Sequence, residues 1–136
     1  MAKINLEAPI ILLGAGLSSG LMAAYLGRRG FKVEVYERRP DPRTTDLYVG
    51  KSINLAISVR GLHAMKDVGL EDAVREMCIP MNGRMIHDRQ GNTDFQFYSK
   101  DGQKAINSIS RGDLNILLIN TAAAFPNVKF HFDHRC

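Results

Sequence analysis

Two glycines and one carboxylate near the amino terminus have the types and spacing needed to bind a phosphorylated ligand. Gly14 and Gly16 follow the apolar run Ile10–Leu13, and Glu37 ends the next apolar stretch. Glycines at such a turn let the backbone approach a pyrophosphate, and the amino end of the following helix attracts the anion. A carboxylate at the end of the second strand accepts hydrogen bonds from ribose hydroxyls and repels a 2′-phosphate. The pattern therefore predicts a site for FAD or NAD.

The glycine turn departs from the usual G-x-G-x-x-G spacing at its third small position. Ser19 stands there, and the glycine comes one residue later at Gly20. We expect the serine hydroxyl to tighten the packing of the helix on the first strand without preventing it. Arg38 and Arg39 follow Glu37, and arginines at this point either receive a phosphate or form a solvated charge pair. The residues themselves leave both interpretations open.

Composition narrows the class of protein. The chain has 136 residues, of which 45% are hydrophobic and 24% charged, with a formal net charge of +4, as expected of one soluble domain. The basic residues are scattered, which argues against a nucleic-acid partner, and no apolar run is long enough to span a membrane. Two distant cysteines predict reduced thiols without a metal site. His131 and His134 are predicted to face opposite sides of a strand, as packing or surface residues.

The elements around the glycine turn predict a Rossmann-like βαβ unit in an α/β fold. The first strand reads as buried on both faces because its apolar residues do not alternate with polar ones. The helix after it is predicted to bury one face of residues at helical spacing. The members of that face are Leu17, Leu21, Ala24, Tyr25 and Arg28.

The middle of the chain predicts short helices and an added β-hairpin. Ser58 is placed to cap a helix, and a second helix is predicted over residues 71–77. Residues 84–88 and 95–98 predict a hairpin, with residues 106–109 as a third strand beside it.

The last part of the chain predicts a helix and a returning strand. Ser110 and Asp113 have the spacing of a capping box before an apolar helical face, and residues 128–132 read as a strand. These strands are too few for a doubly wound sheet, so we expect the sequence to be a piece of a longer protein.

Several blocks of the sequence resemble the FAD-dependent aromatic hydroxylases. They are residues 14–16, 35–40, 51–61, 68–72, 79–81, 83–88, 108–111 and 127–132. The blocks at 51–61 and 83–88 are far more specific than the glycine turn. The resemblance is to the amino-terminal part of the members that hydroxylate L-kynurenine with NADPH and O2. It implies a partial FAD-binding domain over 1–136, with a βαβ unit to about 60, substrate-side strands over about 80–109, and a helix and strand over 110–136.

The same resemblance implies roles for individual residues. The implied FAD-binding set is Gly14, Gly16, Leu17, Ser18, Ser19, Tyr36, Glu37, Arg38, Arg39, Ala56, Arg111 and Cys136. Arg84 and Tyr98 match positions that hold the amino-acid carboxylate of the substrate, a role that a guanidinium fork and a phenol suit. No residue is assigned a catalytic role, because the flavin carries the chemistry. NADPH enters only through the resemblance, since the sequence shows no second nucleotide motif.

Some residues depart from the family's pattern, and two other functions stay open. Lys51 and Val59 stand where the family commonly has arginine and histidine, and lysine lacks the planar fork of arginine. The family's second flavin motif, a Gly-Asp-Ala pattern, does not occur in the sequence. The alternatives are an FAD-binding fragment without turnover and an NAD-dependent oxidoreductase. The resemblance implies a cytoplasmic location in a bacterium, and a mitochondrial outer-membrane location only through residues beyond 136.

Overall fold

A computed structural model describes residues 8–45, 54–100 and 105–136. The chain forms two compact units, one of Met1–Ser52 with Arg111–Cys136 and the other of Ile53–Ser110. The predicted α/β class is confirmed. In chain order the elements are β1 (Ile10–Leu13), α1 (Leu17–Arg28), β2 (Val33–Tyr36), β3 (Leu55–Ile57), α2 (Val59–Lys66), α3 (Glu71–Glu76), β4 (Ile79–Met81), β5 (Gly83–His87), β6 (Thr93–Phe97), β7 (Ile106–Ile109), α4 (Arg111–Ala123) and β8 (Val128–His131). None of the described helices has the length and apolar character needed to cross a bilayer.

The first unit is built on a parallel three-stranded sheet in the order β1-β2-β8. The strands are in register, so that Leu13, Tyr36 and His131 lie side by side at their carboxyl ends. Val33 and Val35 are fully buried on the face that the helices cover. The glycine turn and Glu37 therefore follow two neighbouring strands at one edge of the sheet.

Helices α1 and α4 pack against each other through small residues of α1. The residues of α1 that are buried are Gly20, Ala23, Ala24 and Gly27. Of the face predicted to be buried, only Ala24 is buried, so that prediction was wrong for the larger residues. The two helices approach closely, and only small side chains fit between them. A Cβ added at Gly20 would lie 3.1 Å from the Cβ of Leu118. Gly20, the glycine that comes after Ser19, therefore allows the two helices to pack closely.

The opposite face of the sheet is open among the described residues. Ile11 and Leu13 are 49% and 66% exposed there, so the prediction that β1 is buried on both faces was wrong for this structure. Glu34 and Tyr36 lie on this same face, since side chains alternate along a strand.

The second unit contains a three-stranded antiparallel sheet and a separate hairpin. β7 pairs with β3 and with β4, whereas β5 and β6 pair with each other and with no other described strand. The hairpin prediction is confirmed, but its third strand was wrong. Because β7 lies between β3 and β4, Ile109 is almost completely buried, whereas a position beside the exposed hairpin would leave it accessible. The predicted cap of α2 is confirmed, because the Ser58 side chain accepts a hydrogen bond from the Gly61 amide.

The two late histidines also differ from the prediction. Asp133 has a positive φ of 58°, and the chain turns there after β8 ends. The rings of His131 and His134 consequently come to 5.8 Å of each other instead of facing opposite sides.

Gly27→Ala is expected to destabilise the first unit. The new Cβ would lie 2.6 Å from Cγ2 of Val128 and 3.0 Å from the Phe125 ring. Overpacking costs about 1–3 kcal/mol, which exceeds the roughly 0.5–1 kcal/mol that alanine gains over glycine in a helix. Chemical denaturation should therefore show a lower free energy of unfolding. Gly16→Ala is the control, because nothing lies within 4 Å of its added Cβ; equal stability of the two variants would contradict this packing.

Candidate functional site

The glycine turn is tied to the end of β2 by two hydrogen bonds. Gly14 has a φ of +86°, a left-handed conformation that glycine adopts without steric cost. Its amide donates to the carbonyl of Tyr36 at 2.7 Å. The next amide, that of Ala15, donates to Oε2 of Glu37 at 2.7 Å. The turn and the acidic residue that the sequence singled out are therefore in direct contact.

Beyond the turn, none of the described residues covers the amino end of α1. Gly16 is the N-cap, no side chain caps the helix, and its first turn carries no acidic residue. A Cβ added at Gly16 would meet nothing within 4 Å. The positive end of the helix dipole and the amides of Leu17, Ser18 and Ser19 are thus placed to attract an anion that comes close to the backbone.

Glu37 is held in place by backbone donors on both of its oxygens. Besides the bond from Ala15, Oε1 accepts a hydrogen bond from the Arg39 amide at 2.9 Å. A carboxylate has about four lone-pair sites, so it keeps acceptor capacity for ribose hydroxyls after both bonds. The side chains of Arg38 and Arg39 are exposed next to it.

The segment after β8 returns to this edge. The amide of His134 donates to the carbonyl of Glu37 at 2.9 Å, and that of Asp133 donates to the carbonyl of Arg39 at 3.1 Å. These bonds bring the exposed Cys136 to the same side of the unit. No local sequence pattern predicts this return.

Tyr36 takes part in the turn through its backbone, while its side chain lies on the open face of the sheet. The hydroxyl donates to Oε2 of Glu34 at 2.7 Å, and the ring stacks on His131 at 4.5 Å between centroids. The hydrogen bond to Glu34 is the main cause that raises the pKa of Tyr36 above 10.0, and burial and the charges of Glu34 and Cys136 add to it. The phenol of Tyr36 is accordingly protonated at neutral pH.

Arg111 starts the second helix of this unit. Added Cβ atoms at Gly20 and Gly27 would approach Leu118 and Phe125, so the two helices run in the same direction. Their amino ends therefore lie at one edge of the sheet, and the exposed Arg111 is at that end of α4. Ala56 belongs to the other unit, where it is exposed on β3 opposite Ser108.

Arg84 and Tyr98 share one face of the hairpin. Arg84 is directly opposite Gln96 in the register, and the Tyr98 amide extends the pairing by donating to the Asn82 carbonyl at 3.0 Å. Tyr98 is thus the diagonal neighbour of Arg84, at roughly 7–8 Å by sheet geometry. Both residues are exposed. The other face is apolar, with Met85, Phe95 and Phe97.

The turn of the hairpin is organised by Asp88. Oδ1 accepts hydrogen bonds from the amides of Gln90 and Asn92 at 2.9 and 2.8 Å, and Oδ2 accepts one from Nδ2 of Asn92 at 2.7 Å. These bonds set the loop that fixes the register of β5 against β6. Asp88 therefore helps to keep Arg84 opposite Gln96.

Comparison with known proteins gives related sequences over nearly the whole chain. It is 50% identical over 133 residues to kynurenine 3-monooxygenase of Cytophaga hutchinsonii, covering 96% of this chain and 29% of that protein. The enzyme of the same name from Myxococcus xanthus is 49% identical over 126 residues, with 93% and 27% covered. That from Anopheles gambiae is 44% identical, with 93% and 26% covered. The chain is homologous to the kynurenine 3-monooxygenases. It spans less than a third of their length.

The fold agrees with this homology. The NAD(P)-binding Rossmann-like domain family matches residues 12–78. The flavin-dependent monooxygenase PieE, solved with FAD and substrate, superposes with a TM-score of 0.76 at 15% identity, over 93% of this chain and 24% of that one. p-Nitrophenol 4-monooxygenase PnpA of Pseudomonas putida DLL-E4 gives 0.71 at 17% identity, over 93% and 31%. The predicted fold of the aromatic hydroxylases is thus confirmed for this part of the chain.

The hairpin turn is expected to be sensitive to acid. The Asn92 side-chain hydrogen bond is the main cause that lowers the pKa of Asp88 below 3.8, and the amides of Asn92, Gln90 and Gly91 also lower it. A carboxyl with a lowered pKa stabilises the folded state above its unfolded pKa, and this stabilisation is lost as the pH falls through the folded value. The Asn92 amide signal in an NMR titration should therefore shift with a midpoint below 3.8.

The control for this titration is Asp88→Asn, which removes the titrating group and keeps a side-chain oxygen as acceptor. The shift of the Asn92 signal should disappear in that variant. A midpoint at or above the usual aspartate value, or a shift that persists without Asp88, would show that the carboxylate does not hold the turn.

Proposed function

We propose that this chain forms the FAD-binding part and one wall of the substrate site of an NADPH-dependent monooxygenase that converts L-kynurenine to 3-hydroxykynurenine, in tryptophan degradation. The observation that carries the proposal is 44–50% identity to kynurenine 3-monooxygenases over about nine-tenths of the chain. The activity is proposed for a protein of the relatives' length that contains these residues.

The first unit fits the ADP half of FAD. Gly16 leaves room for a pyrophosphate, α1 offers its uncapped amino end, and Glu37 is oriented for the ribose hydroxyls. Arg38, Arg39 and Arg111 supply positive charge near the same edge, and arginine suits phosphate because its planar fork donates two parallel hydrogen bonds. When bound, the flavin supplies the electron transfer to O2 and the transfer of one oxygen atom to the aromatic ring.

The hairpin fits the amino-acid end of the substrate. L-kynurenine carries an amino-acid carboxylate at the end of the chain that leaves its aniline ring. Arg84 provides a bidentate donor and Tyr98 a third donor on the same exposed face, which suits a carboxylate. The proposed task of both residues is to bind and orient the substrate.

An NAD-dependent oxidoreductase is the second candidate. The match to the NAD(P)-binding Rossmann-like family over residues 12–78 and the acid at the end of β2 favour it. A flavin absorbance band in the purified protein would support the first proposal. A colourless protein that binds NAD and takes up no FAD would support the second.

Glu37→Ala is expected to weaken FAD binding by at least about tenfold, because a charge-assisted hydrogen bond to ribose is lost and the turn loses one of its two hydrogen bonds to the end of β2. Titration of the apoprotein with FAD, followed by flavin fluorescence, measures the effect. Glu34→Ala is the matched control, since this carboxylate of the same strand bonds the Tyr36 hydroxyl instead. Equal affinities in the two variants would remove Glu37 from the site.

Arg84→Met is expected to raise the Kd for L-kynurenine by about 10- to 100-fold, since charged hydrogen bonds are worth about 1.5–3 kcal/mol. FAD should remain bound. Equilibrium binding to the flavin-loaded protein, read from the flavin spectrum, gives the Kd. The control is Arg89→Met in the hairpin turn. Unchanged kynurenine affinity in the Arg84 variant would show that this residue does not hold the carboxylate.

A further inference from the structure

Gln96 holds the guanidinium of Arg84 by one edge. Oε1 of Gln96 accepts hydrogen bonds from Nε of Arg84 at 3.3 Å and from Nη2 at 3.0 Å. The two residues are directly opposite in the strand register, on the same face of the hairpin. A guanidinium has five N–H donors in a fixed plane, and these two bonds use the edge formed by Nε and Nη2.

The edge that Gln96 leaves open is the end of the fork. One N–H of Nη1 and one of Nη2 form this edge and point away from the Arg84 stem, and the hydrogen bonds to Gln96 are made by Nε and Nη2 on the other edge. This is the edge that binds a carboxylate end-on through two parallel hydrogen bonds. Arg84 is exposed and its side chain has many rotamers, so without a partner the fork would have no fixed plane.

Asp94 favours the orientation of the Gln96 amide in which the amide oxygen faces Arg84. Nε2 of Gln96 donates to Oδ2 of Asp94 at 3.5 Å, two residues before it on the same face of β6. An acceptor on that side keeps the amide nitrogen towards Asp94 and the amide oxygen towards Arg84. Reversal of the amide would place two donors against a cation, which is unfavourable.

We infer that Gln96 is a positioning residue that orients the Arg84 guanidinium so that its open end receives the carboxylate of an amino-acid substrate. The inference rests on the proposed function, which assigns that carboxylate to Arg84. Gln96 acts through Arg84 and has no direct contact with substrate. Its loss should therefore affect binding of the carboxylate and leave the chemistry on the ring unchanged.

The test compares Gln96→Met, Arg84→Met and the double variant in the flavin-loaded protein. Methionine keeps the length of glutamine and removes the acceptor. Gln96→Met should raise the Kd and KM for L-kynurenine about fivefold, the size expected for the loss of one ordinary hydrogen bond, because Arg84 itself still reaches the carboxylate. The kcat should change by less than about twofold, since Gln96 does not act on the ring. Kynuramine, which lacks the carboxylate, should bind equally to the native protein and the variant.

The double variant separates positioning from a structural role. If Gln96 acts through Arg84, Gln96→Met should have no further effect once Arg84 is methionine. Gln90→Met, the same substitution in the hairpin turn, is the matched control and should leave both ligands unaffected. An equal loss of kynuramine binding, or the same fivefold loss in the Arg84→Met background, would overturn the inference.

A second variant keeps the test informative if Gln96→Met folds poorly. Gln96→Glu retains the volume and the acceptor, but its charge neutralises the guanidinium, so L-kynurenine should bind more weakly and kynuramine should not. If Arg84→Met weakens L-kynurenine and neither Gln96 variant does, only the role of Gln96 is wrong. If Arg84→Met itself changes nothing, the proposed substrate role of Arg84 is wrong and this inference falls with it.

Discussion

The hydrogen bond between the Ala15 amide and the Glu37 carboxylate is the interaction on which the nucleotide side of the molecule depends. It joins the turn after β1 to the residue that follows β2, so the proposed pyrophosphate and ribose positions are fixed relative to each other. The bond is partly buried, where a hydrogen bond is electrostatically stronger than in water. Gly14 makes it possible, because its left-handed conformation directs two successive amides towards β2.

The close approach of α1 and α4 places the helix ends at that same edge. Gly20 and Gly27 face α4 and β8, where added Cβ atoms would collide with Leu118, Phe125 and Val128. The spacing of large apolar residues predicted that a different face of α1 is buried. Hydrophobic periodicity locates large apolar side chains, and it does not identify the glycines and alanines that a close helix contact requires. Which helix comes close to α1 is a property of the folded chain, and it decides which face is buried.

The sequence predicted correctly the features that depend on residues close together in the chain. The glycine turn, the Ser58 cap and the hairpin each involve residues near in sequence, and the structure contains all three. The partners of β7 and the approach of His134 to His131 depend on residues far apart or on a single positive φ at Asp133. For Arg84 and Tyr98, residue type alone favoured an ordinary surface role, and only family resemblance singled them out.

The two candidate sites differ in how much the fold alone says about them. Flavin monooxygenases at 15–17% identity share this fold with TM-scores of 0.71–0.76. The proposed nucleotide site needs mainly backbone groups and a few small residues, which a shared fold can supply at low sequence identity. The proposed substrate site depends instead on side chains of the hairpin, where a slip of one residue between β5 and β6 would separate Arg84 from Gln96. The hydrogen bonds of Asp88 therefore matter for the proposed carboxylate site, because they fix the register that keeps Arg84 opposite Gln96.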